Sequence, residues 1–274
     1  MCDVLGVSKS GYYDWKRSQI GSSDSPEKDY QLKRDIEDIF QSSRQAYGSP
    51  RVHHMLKGLG YTVGKTKVER IMRELNLRAK KRRKFKKTTI GSKKTCPSPN
   101  LLAQNFTSPS KGSILLMDIT YIPLMAGFAY LAAILDLCTK EIVGWKLEKH
   151  MEAELVRDAL LDANLKGHII PGGILHSDRG SQFGSIVFRR TLKSLGLQQS
   201  MSGTGNCYDN APMESFFDSL KTEMFEEKYF KNYEEARKQV FEWIEIFYNR
   251  QRIHSSIGYQ IPACYAEKIM AKAS

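Results

Sequence analysis

The sequence predicts an α/β protein in which a small helical domain precedes a larger domain of mixed strands and helices. Apolar residues recur at helical spacing between residues 26 and 77, and strand-like apolar runs alternate with helical segments between residues 113 and 265. A basic segment at residues 78–112 separates the two regions. With 274 residues, the chain is long enough for two domains and a sizeable core.

The composition is ordinary for a soluble globular protein. Hydrophobic residues make up 41% of the chain, and the N-terminus lacks the pattern of a signal peptide. The sequence contains no run of about 18 apolar residues, so it predicts no membrane span. The five cysteines are scattered singly, at Cys2, Cys96, Cys138, Cys207 and Cys264. An odd number without a close pair indicates reduced thiols in a cytosolic compartment and argues against a zinc module built from cysteines.

Positive charge is in excess and is concentrated in one tract. The net charge of +12 would attract polyanions such as nucleic acid, although a merely basic soluble protein would show the same total. Between Arg78 and Lys94 there are ten Lys or Arg residues and no acid, which favours nucleic acid. Within this tract we expect Lys81, Arg82 and Arg83 to contact DNA phosphates. Such a run also fits a nuclear-localisation signal.

Residues 1–17 predict part of a helix-turn-helix. Gly6 would lie in the turn, and Ser8 could cap the helix that follows. No complete partner helix precedes this segment, so a frayed N-terminal helix is the alternative interpretation. Residues 18–25 have the composition of a flexible linker.

Residues 26–77 predict a helix-turn-helix domain of three helices. Pro26 begins the first helix, Ser49 and Pro50 open the second, and the third runs from about Lys65 to Leu75. The second and third helices, joined by a glycine-containing turn, fit a DNA-binding motif. Basic residues on the outer face of the third helix are candidate DNA contacts, although such a face is often only solvated. These residues are Lys65, Lys67, Arg70 and Arg73.

The larger region begins near Ser113 with three strand-like runs whose spacing predicts an antiparallel meander. Helical and strand patterns then alternate. The predicted elements are strands Ile114–Ile122, Phe128–Leu135 and Glu141–Leu147, helix Glu152–Leu165, strand Gly173–His176, helix Ser185–Leu195, strand Gln198–Met201 and a helix after Asn210. Local patterns alone support only an α/β domain of this size.

Three acids stand out at the ends of these elements. Asp118 lies inside an apolar strand, where a carboxylate is costly to bury unless a partner such as a divalent metal ion pairs with it. Asp178 follows the fourth strand, and Glu214 lies in the first turn of the helix that Asn210 could cap. A first-turn glutamate can also be favoured by the helix dipole alone. Lys221 lies two turns after Glu214 on the same helix face.

These acids lie in three motifs: Asp118-Ile-Thr-Tyr-Ile122, His176-Ser-Asp-Arg-Gly-Ser-Gln-Phe183 and Asp209-Asn-Ala-Pro-Met-Glu-Ser-Phe-Phe-Asp-Ser-Leu-Lys221. The motifs resemble the signature of DDE transposases, the integrase-type recombinases of bacterial insertion sequences, which are related to retroviral integrases. The second-frame (OrfB-type) subgroup is most similar. The resemblance covers about Tyr30 to Tyr265, and 35 residues separate Asp178 from Glu214, an interval that the family favours.

The resemblance implies an RNase H-like catalytic core at residues 113–265 behind the helix-turn-helix domain. It implies that Asp118, Asp178 and Glu214 are catalytic and hold two Mg²⁺ ions, with Asp118 bridging both ions and Mn²⁺ able to substitute. Lys221 would hold a DNA phosphate, and Asn210 and Arg179 are weaker candidates for orienting DNA.

The implied activity is hydrolysis of a strand at the tip of the element, followed by attack of the new 3′-hydroxyl on a second phosphodiester. Double-stranded DNA is therefore the expected partner, both the terminal inverted repeats and the target. The resemblance also implies a bacterial cytoplasmic protein associated with the nucleoid, and a product of an upstream reading frame as a partner or fusion. Because a transposase must hold two DNA ends, we expect at least a dimer.

The C-terminal part carries another predicted helix and a further family motif. Asn232 and Glu235 form a capping box that begins a helix reaching about Tyr248. The segment from Tyr248 to Tyr259 matches the C-terminal signature of the family. Its polar residues could contact DNA or hold the end of the domain in place, and they are Asn249, Arg252 and His254.

Two alternatives and two departures from the family remain. A DNA-binding regulator would use only the helix-turn-helix, and an RNase H-type nuclease would hydrolyse DNA without joining it. The sequence lacks the His-His-Cys-Cys zinc module that precedes the core of retroviral integrases. It also has Phe183 where the family usually has tyrosine.

Overall fold

The computed structural model describes residues 8–20, 26–80, 98–203, 207–224 and 229–273. The chain divides into two compact units, Met1–Ala79 and Lys80–Ser274. The predicted turn at Gly6 lies outside the described residues. The predicted phosphate contacts Lys81, Arg82 and Arg83 also lie outside them.

The first helix, α1 (Lys9–Ile20), begins at the residue after its predicted cap. The backbone N–H of Gly11 donates a hydrogen bond to Ser8 Oγ at 3.0 Å, as an N-cap requires. The helix continues through Ser18, Gln19 and Ile20, which composition had placed in a linker. The prediction of a linker was therefore wrong for these residues.

Three further helices form the rest of the first unit: α2 (Pro26–Ser42), α3 (Ser49–Gly58) and α4 (Lys65–Glu74). Apolar residues at helical spacing are buried between them. The buried set comprises Leu32, Ile36, Ile39, Phe40, Val52, Leu56, Val68, Ile71 and Met72. The Tyr61 hydroxyl donates a hydrogen bond to Asp35 Oδ2, which fixes the turn between α3 and α4 against α2.

A five-stranded mixed sheet forms the centre of the second unit. Its strands are β1 (Ile114–Leu124), β2 (Gly127–Asp136), β3 (Ile142–Glu148), β4 (Ile174–Ser177) and β5 (Gln198–Met201). They lie in the order β3-β2-β1-β4-β5. The first three form the predicted antiparallel meander, whereas β1, β4 and β5 are parallel to one another. This is the RNase H-like arrangement that the resemblance implies.

Helices cover both faces of the sheet. One face packs against α5 (Ala153–Leu165) and α6 (Ile186–Ser194). The other packs against α7 (Ala211–Met224), α8 (Tyr233–Phe241) and a π-helix (Glu242–Tyr248). Because side chains alternate along a strand, β1 contributes Leu115 and Met117 to the first core and Leu116 and Ile122 to the second.

The predicted helix after Asn232 is present, but its second half has π-helical geometry. The Asn232 cap forms as expected, with the Glu235 N–H donating to Asn232 Oδ1 at 2.9 Å, but the reciprocal bond of the capping box goes to the residue before the cap. The Glu235 carboxylate accepts from the Lys231 N–H at 2.7 Å. The wider π turns place four apolar side chains in one core. They are Trp243, Ile244, Phe247 and Tyr248.

Residues 98–104, which composition placed in the linker at 78–112, pack against the sheet instead. Leu102 is buried, and the Pro99 carbonyl accepts a hydrogen bond from the Met201 N–H at 3.2 Å. The Ser200 hydroxyl accepts from the Leu101 N–H at 2.9 Å. Residues 98–104 therefore run beside β5, and we call them the anchor segment.

The described chain ends with α9 (Pro262–Ala273). Among the described residues, no helix has both the length and the apolar character needed to cross a membrane.

Candidate active site

Asp118, within β1, and Asp178, directly after β4, lie at the same level of two neighbouring strands. The parallel pairing of β1 with β4 ends at Met117 opposite Ser177, and each aspartate is the next residue on its strand. Adjacent strands are about 4.8 Å apart. The two aspartates lie side by side because of the parallel register of β1 with β4. Sequence patterns did not reveal this register because β4 has only four residues.

Glu214 reaches the same place from α7. The apolar side of this helix, with Met213, Phe216 and Leu220, is buried against β1 and β2, so Glu214 in the first turn stays exposed. Its charge lies close enough to Asp118 to raise the pKa of that carboxyl group. The structure therefore places Asp118 beside Asp178 on neighbouring strands and within the electrostatic influence of Glu214.

The electrostatics of the site are those of crowded carboxylates. Burial raises the pKa of Asp118 well above its usual range, and the charges of Asp178 and Glu214 raise it further. A hydrogen bond from the Ile119 N–H at 2.7 Å and the charge of Lys221 act in the opposite direction. Burial also raises the pKa of Asp178, against a hydrogen bond from the Gly180 N–H at 2.8 Å.

This donor set suits a hard divalent cation. Magnesium prefers carboxylate oxygens, needs few of them and keeps several waters, and it would relieve the repulsion that raises the pKa of Asp118. Among the described residues, no three His, Cys, Asp or Glu side chains are already gathered closely enough to hold a metal ion. Binding of one metal ion by all three acids would therefore require side-chain movement, and Glu214 is exposed at the start of its helix.

Lys221 lies within the electrostatic influence of Asp118, two turns after Glu214 on α7. Its Nζ is 4.5 Å from the centroid of the Tyr121 ring, and only 9% of the residue is exposed. Burial lowers the pKa of Lys221, while the charges of Asp218 and Asp118 act in the opposite direction. A partly desolvated cation over an aromatic face is held in a defined position.

Asn210 does not cap α7. A 3₁₀ turn (Cys207–Asn210) runs directly into the helix, whereas a cap residue needs extended backbone. The Asn210 side chain is buried, and neither of its polar atoms has a hydrogen-bond partner in the part of the chain described. A direct DNA contact by Asn210 would therefore require its side chain to become more exposed than it is in this structure.

Arg179 and Arg252 each bond to the protein. Arg179 Nε donates to the Ser202 carbonyl at 2.7 Å, which joins the turn after β4 to the end of β5. The Arg252 guanidinium is buried against the Glu223 carboxylate at 2.7 Å. Of the two interpretations left open for Arg252, the structure therefore favours holding the domain end in place over contacting DNA.

Asn249 supports the same interpretation. Its side chain accepts a hydrogen bond from the Ile142 N–H and donates one to the Ile142 carbonyl, both at 2.9 Å. The polar residues of the C-terminal signature thus connect α7 and the start of β3.

Three of the four basic residues of α4 are exposed, whereas Lys67 is half-buried beside α2. Lys65 and Arg73 are exposed, Lys67 Nζ lies 3.1 Å from Asp29 Oδ1, and Arg70 is 3.6 Å from Glu74. These surface pairs leave the helix with a positively charged exterior.

Sequence reasoning missed a buried polar network beneath the site. The His176 ring bonds to Ser200 Oγ at 2.8 Å and to Ser202 Oγ at 3.2 Å. Asp209 is also buried and accepts three hydrogen bonds from two separate segments, the anchor segment and the residues after β5. The partners of Asp209 are distant in sequence, so only the proximity of Asp209 to Glu214 could have indicated its importance.

Models of known protein families match most of the chain. A model described as an integrase core domain matches residues 108–207, and a second with that description matches residues 195–262. A model described as an HTH-like domain matches residues 27–85.

Relatives from bacteria match over nearly the whole chain. A 31 kDa protein of insertion element IS600 from Shigella sonnei is 42% identical over 269 residues, which is 98% of each chain. The transposase for insertion sequence element IS904 from Lactococcus lactis is 37% identical, over 84% of this chain and 91% of the relative. Transposase InsF for insertion sequence IS3A from Escherichia coli is 36% identical, over 99% of this chain and 94% of the relative.

A solved structure has a similar fold. A chain in the cryo-EM structure of a simian T-cell lymphotropic virus intasome, in complex with the PP2A regulatory subunit B56 gamma, superposes with a TM-score of 0.50 and 11% identity. The match covers 84% of this chain and 74% of that chain.

Proposed function

Because the chain belongs to the family of insertion-sequence transposases, we propose that Asp118, Asp178 and Glu214 are the catalytic residues with which it cuts and joins DNA strands. The observation that carries this proposal is the parallel register of β1 and β4. It sets Asp118 beside Asp178, within the electrostatic influence of Glu214. Carboxylates from separate elements repel one another when they lie close together, and a bound cation would offset this repulsion.

The catalytic residues would act as ligands of two divalent metal ions, Mg²⁺ or Mn²⁺. When bound, such ions activate the attacking oxygen and stabilise the leaving oxygen of a phosphodiester. Asp118 is held on a strand in the middle of the sheet, so its carboxylate is the most rigid of the three. Glu214 is exposed at the start of a helix and supplies the adjustable ligand.

Two further features of the site favour binding of the DNA backbone. Lys221 Nζ, held over the Tyr121 ring, would bind a phosphate next to the scissile bond. Arg179 fixes the loop after β5 through the Ser202 carbonyl and so shapes the rim of the site.

The helix-turn-helix domain at residues 26–77 would recognise the ends of the element. The exposed Lys65 and Arg73 on α4 are the strongest candidates for DNA contact, with Lys67, Arg70 and the basic tract assisting. The expected partners are terminal inverted repeats and target DNA, in the bacterial cytoplasm at the nucleoid. The working unit would be at least a dimer, because two ends must be held. An upstream-frame product remains a predicted partner or fusion.

The proposal is tested with a labelled duplex that carries one end of the element. With Mg²⁺, we expect a nick at the tip, and then joined products that contain both the labelled end and an unlabelled target duplex. Binding without nicking would indicate a regulator, and nicking without joining would indicate a nuclease. Either result would contradict the proposal.

A further inference from the structure

Asp209 joins the elements that carry two of the proposed catalytic residues. It lies in the 3₁₀ turn that leads into α7, five residues before Glu214. Its Oδ2 accepts a hydrogen bond from the Gly203 N–H at 2.7 Å. Gly203 follows the end of β5, so Asp209 connects the start of α7 to the sheet.

The anchor segment supplies the other two hydrogen bonds. Asn100 Nδ2 donates to Asp209 Oδ2 and Gln104 Nε2 donates to Asp209 Oδ1, each at 3.0 Å. Asn100 is itself fixed, because its Oδ1 accepts hydrogen bonds from the N–H groups of Leu102 and Ala103. A buried carboxylate that accepts hydrogen bonds from both the anchor segment and Gly203 holds these two segments in one arrangement.

The same residue borders the strand that carries Asp178. The His176 ring, two residues before Asp178, lies against the backbone of Asp209 as well as Ser200 and Ser202. The hydrogen bonds of Asp209 therefore reach the end of β4, the end of β5, the anchor segment and the start of α7.

We propose that Asp209 is a positioning residue for the Glu214 carboxylate, held in place by Asn100 and Gln104 of the anchor segment. The inference rests on the proposed function, because it assumes that Glu214 acts at the site of Asp118 and Asp178. It assigns a role in catalysis to a segment that composition places in a linker.

Substitutions at Asp209 separate positioning from metal ligation. Asp209→Ala removes all three acceptor contacts, and we expect single-turnover cleavage to fall about 10–100-fold, as for residues that orient metal ligands. Asp209→Asn can place its amide oxygen where Oδ2 accepts from Asn100 and Gly203, and its new NH₂ group, in the place of Oδ1, can donate to the Gln104 side-chain oxygen once the Gln104 amide rotates. This variant should cleave at close to the wild-type rate.

A substitution in the anchor segment tests the partner directly. Asn100→Asp keeps the oxygen that accepts from Leu102 and Ala103, but it places a carboxylate oxygen against Asp209 Oδ2. We expect slower cleavage and a higher Mg²⁺ concentration for half-maximal rate. The affinity of this variant for terminal DNA should equal that of the wild type, because Asn100 and Asp209 both lie outside the helix-turn-helix domain.

Asp136 provides a matched control. It is also buried and accepts three hydrogen bonds, from the Gly112 N–H at 2.6 Å, the Thr139 N–H at 2.7 Å and Thr139 Oγ1 at 2.9 Å, but it does not contact α7 through them. Asp136→Ala, or Asp136→Asn if the first does not fold, should lose stability without raising the Mg²⁺ requirement of the folded fraction.

The outcomes are distinct. Wild-type cleavage by Asp209→Ala would overturn the inference, and so would an equal rise in Mg²⁺ requirement in the Asp136 control. If Asp209→Asn were as inactive as Asp118→Asn, Asp209 would be a metal ligand rather than a positioning residue. Full activity of Asp118→Asn would instead overturn the proposed function, whatever the Asp209 variants do.

Discussion

The Arg252 guanidinium contacts the Glu223 carboxylate through three hydrogen bonds of 2.7–3.1 Å, and the two side chains are only 3% and 6% exposed. Arg252 also donates to Ser219 Oγ at 3.4 Å, one turn earlier on α7. The C-terminal segment therefore holds the later turns of the helix whose first turn carries Glu214. Glu214 lies between this contact and the hydrogen bonds of Asp209.

The first prediction concerns the buried ion pair. Arg252→Ala should lower the free energy of unfolding by about 3–5 kcal/mol, because it leaves the Glu223 carboxylate buried without its charge partner. Denaturant titration of the full chain measures this loss.

An exposed pair on α8 is the control for Arg252. Lys238 and Glu242 lie 4.0 Å apart, with Lys238 74% exposed, so Lys238→Ala should cost less than about 1 kcal/mol. If Arg252→Ala unfolded at the wild-type denaturant concentration but bound DNA weakly, Arg252 would be a DNA contact after all.

The second prediction is that Asp118→Asn stabilises the metal-free protein at neutral pH. Burial and the charge of Asp178 raise the folded-state pKa of Asp118. The contribution of this carboxyl group to folding stability is therefore complete below the unfolded-state pKa and is lost as pH rises through the folded-state pKa. Between the unfolded-state and folded-state pKa values, the penalty grows by about 1.4 kcal/mol for each pH unit. The amide variant carries no such loss, so its advantage should appear above about pH 4 and grow towards neutrality.

Thermal unfolding with chelator, measured across pH, tests this prediction. Adding Mg²⁺ should stabilise the wild type more than Asp118→Asn, because only the wild type keeps the full ligand set. A wild type that is more stable than Asp118→Asn in chelator at neutral pH would show that the Asp118 charge is already compensated within the protein.

The third prediction concerns Lys221. Lys221→Gln should slow strand cleavage and reduce the magnitude of the slope of log affinity against log salt by about one phosphate contact. Fluorescence anisotropy with terminal DNA at several salt concentrations gives the slope. Lys238→Gln, which removes an exposed charge from α8, should change neither the slope nor the rate.

The fourth prediction concerns α4. Removing two exposed charges with Lys65→Gln and Arg73→Gln should weaken binding of terminal DNA without changing stability, since neither side chain forms an ion pair among the described residues. Lys57→Gln, on the exposed surface of α3, is the control within the same domain. Equal loss of affinity in both proteins would mean that the domain binds DNA only through its general charge.

Local features of the fold were predictable because their causes are local. The Asn232 cap, the Ser8 cap and the meander of β1 to β3 depend on residues close together in the chain. The choice of the three acids came from motifs and family resemblance, whereas the proximity of Asp118 to Asp178 comes from the parallel register of β1 and β4.

The remaining features depend on contacts between residues far apart in the chain. Gln104 and Asp209 are 105 positions apart, and Asn249 and Ile142 are 107 positions apart. Nothing near Arg252 in the sequence indicates that Glu223 will neutralise it. The anchor segment looked like a linker because its Pro, Ser and Asn content is typical of one, whereas its order comes from contacts with β5 and Asp209.

Metal-dependent cleavage by three single variants tests the central claim most directly. Asp118→Asn, Asp178→Asn and Glu214→Gln are each assayed on a labelled terminal duplex in Mg²⁺ and in Mn²⁺, with DNA affinity measured alongside. We predict that all three variants bind the duplex nearly as well as the wild type and that none of them cleaves it. Near-normal cleavage by any one variant would contradict the account and remove that residue from the active site.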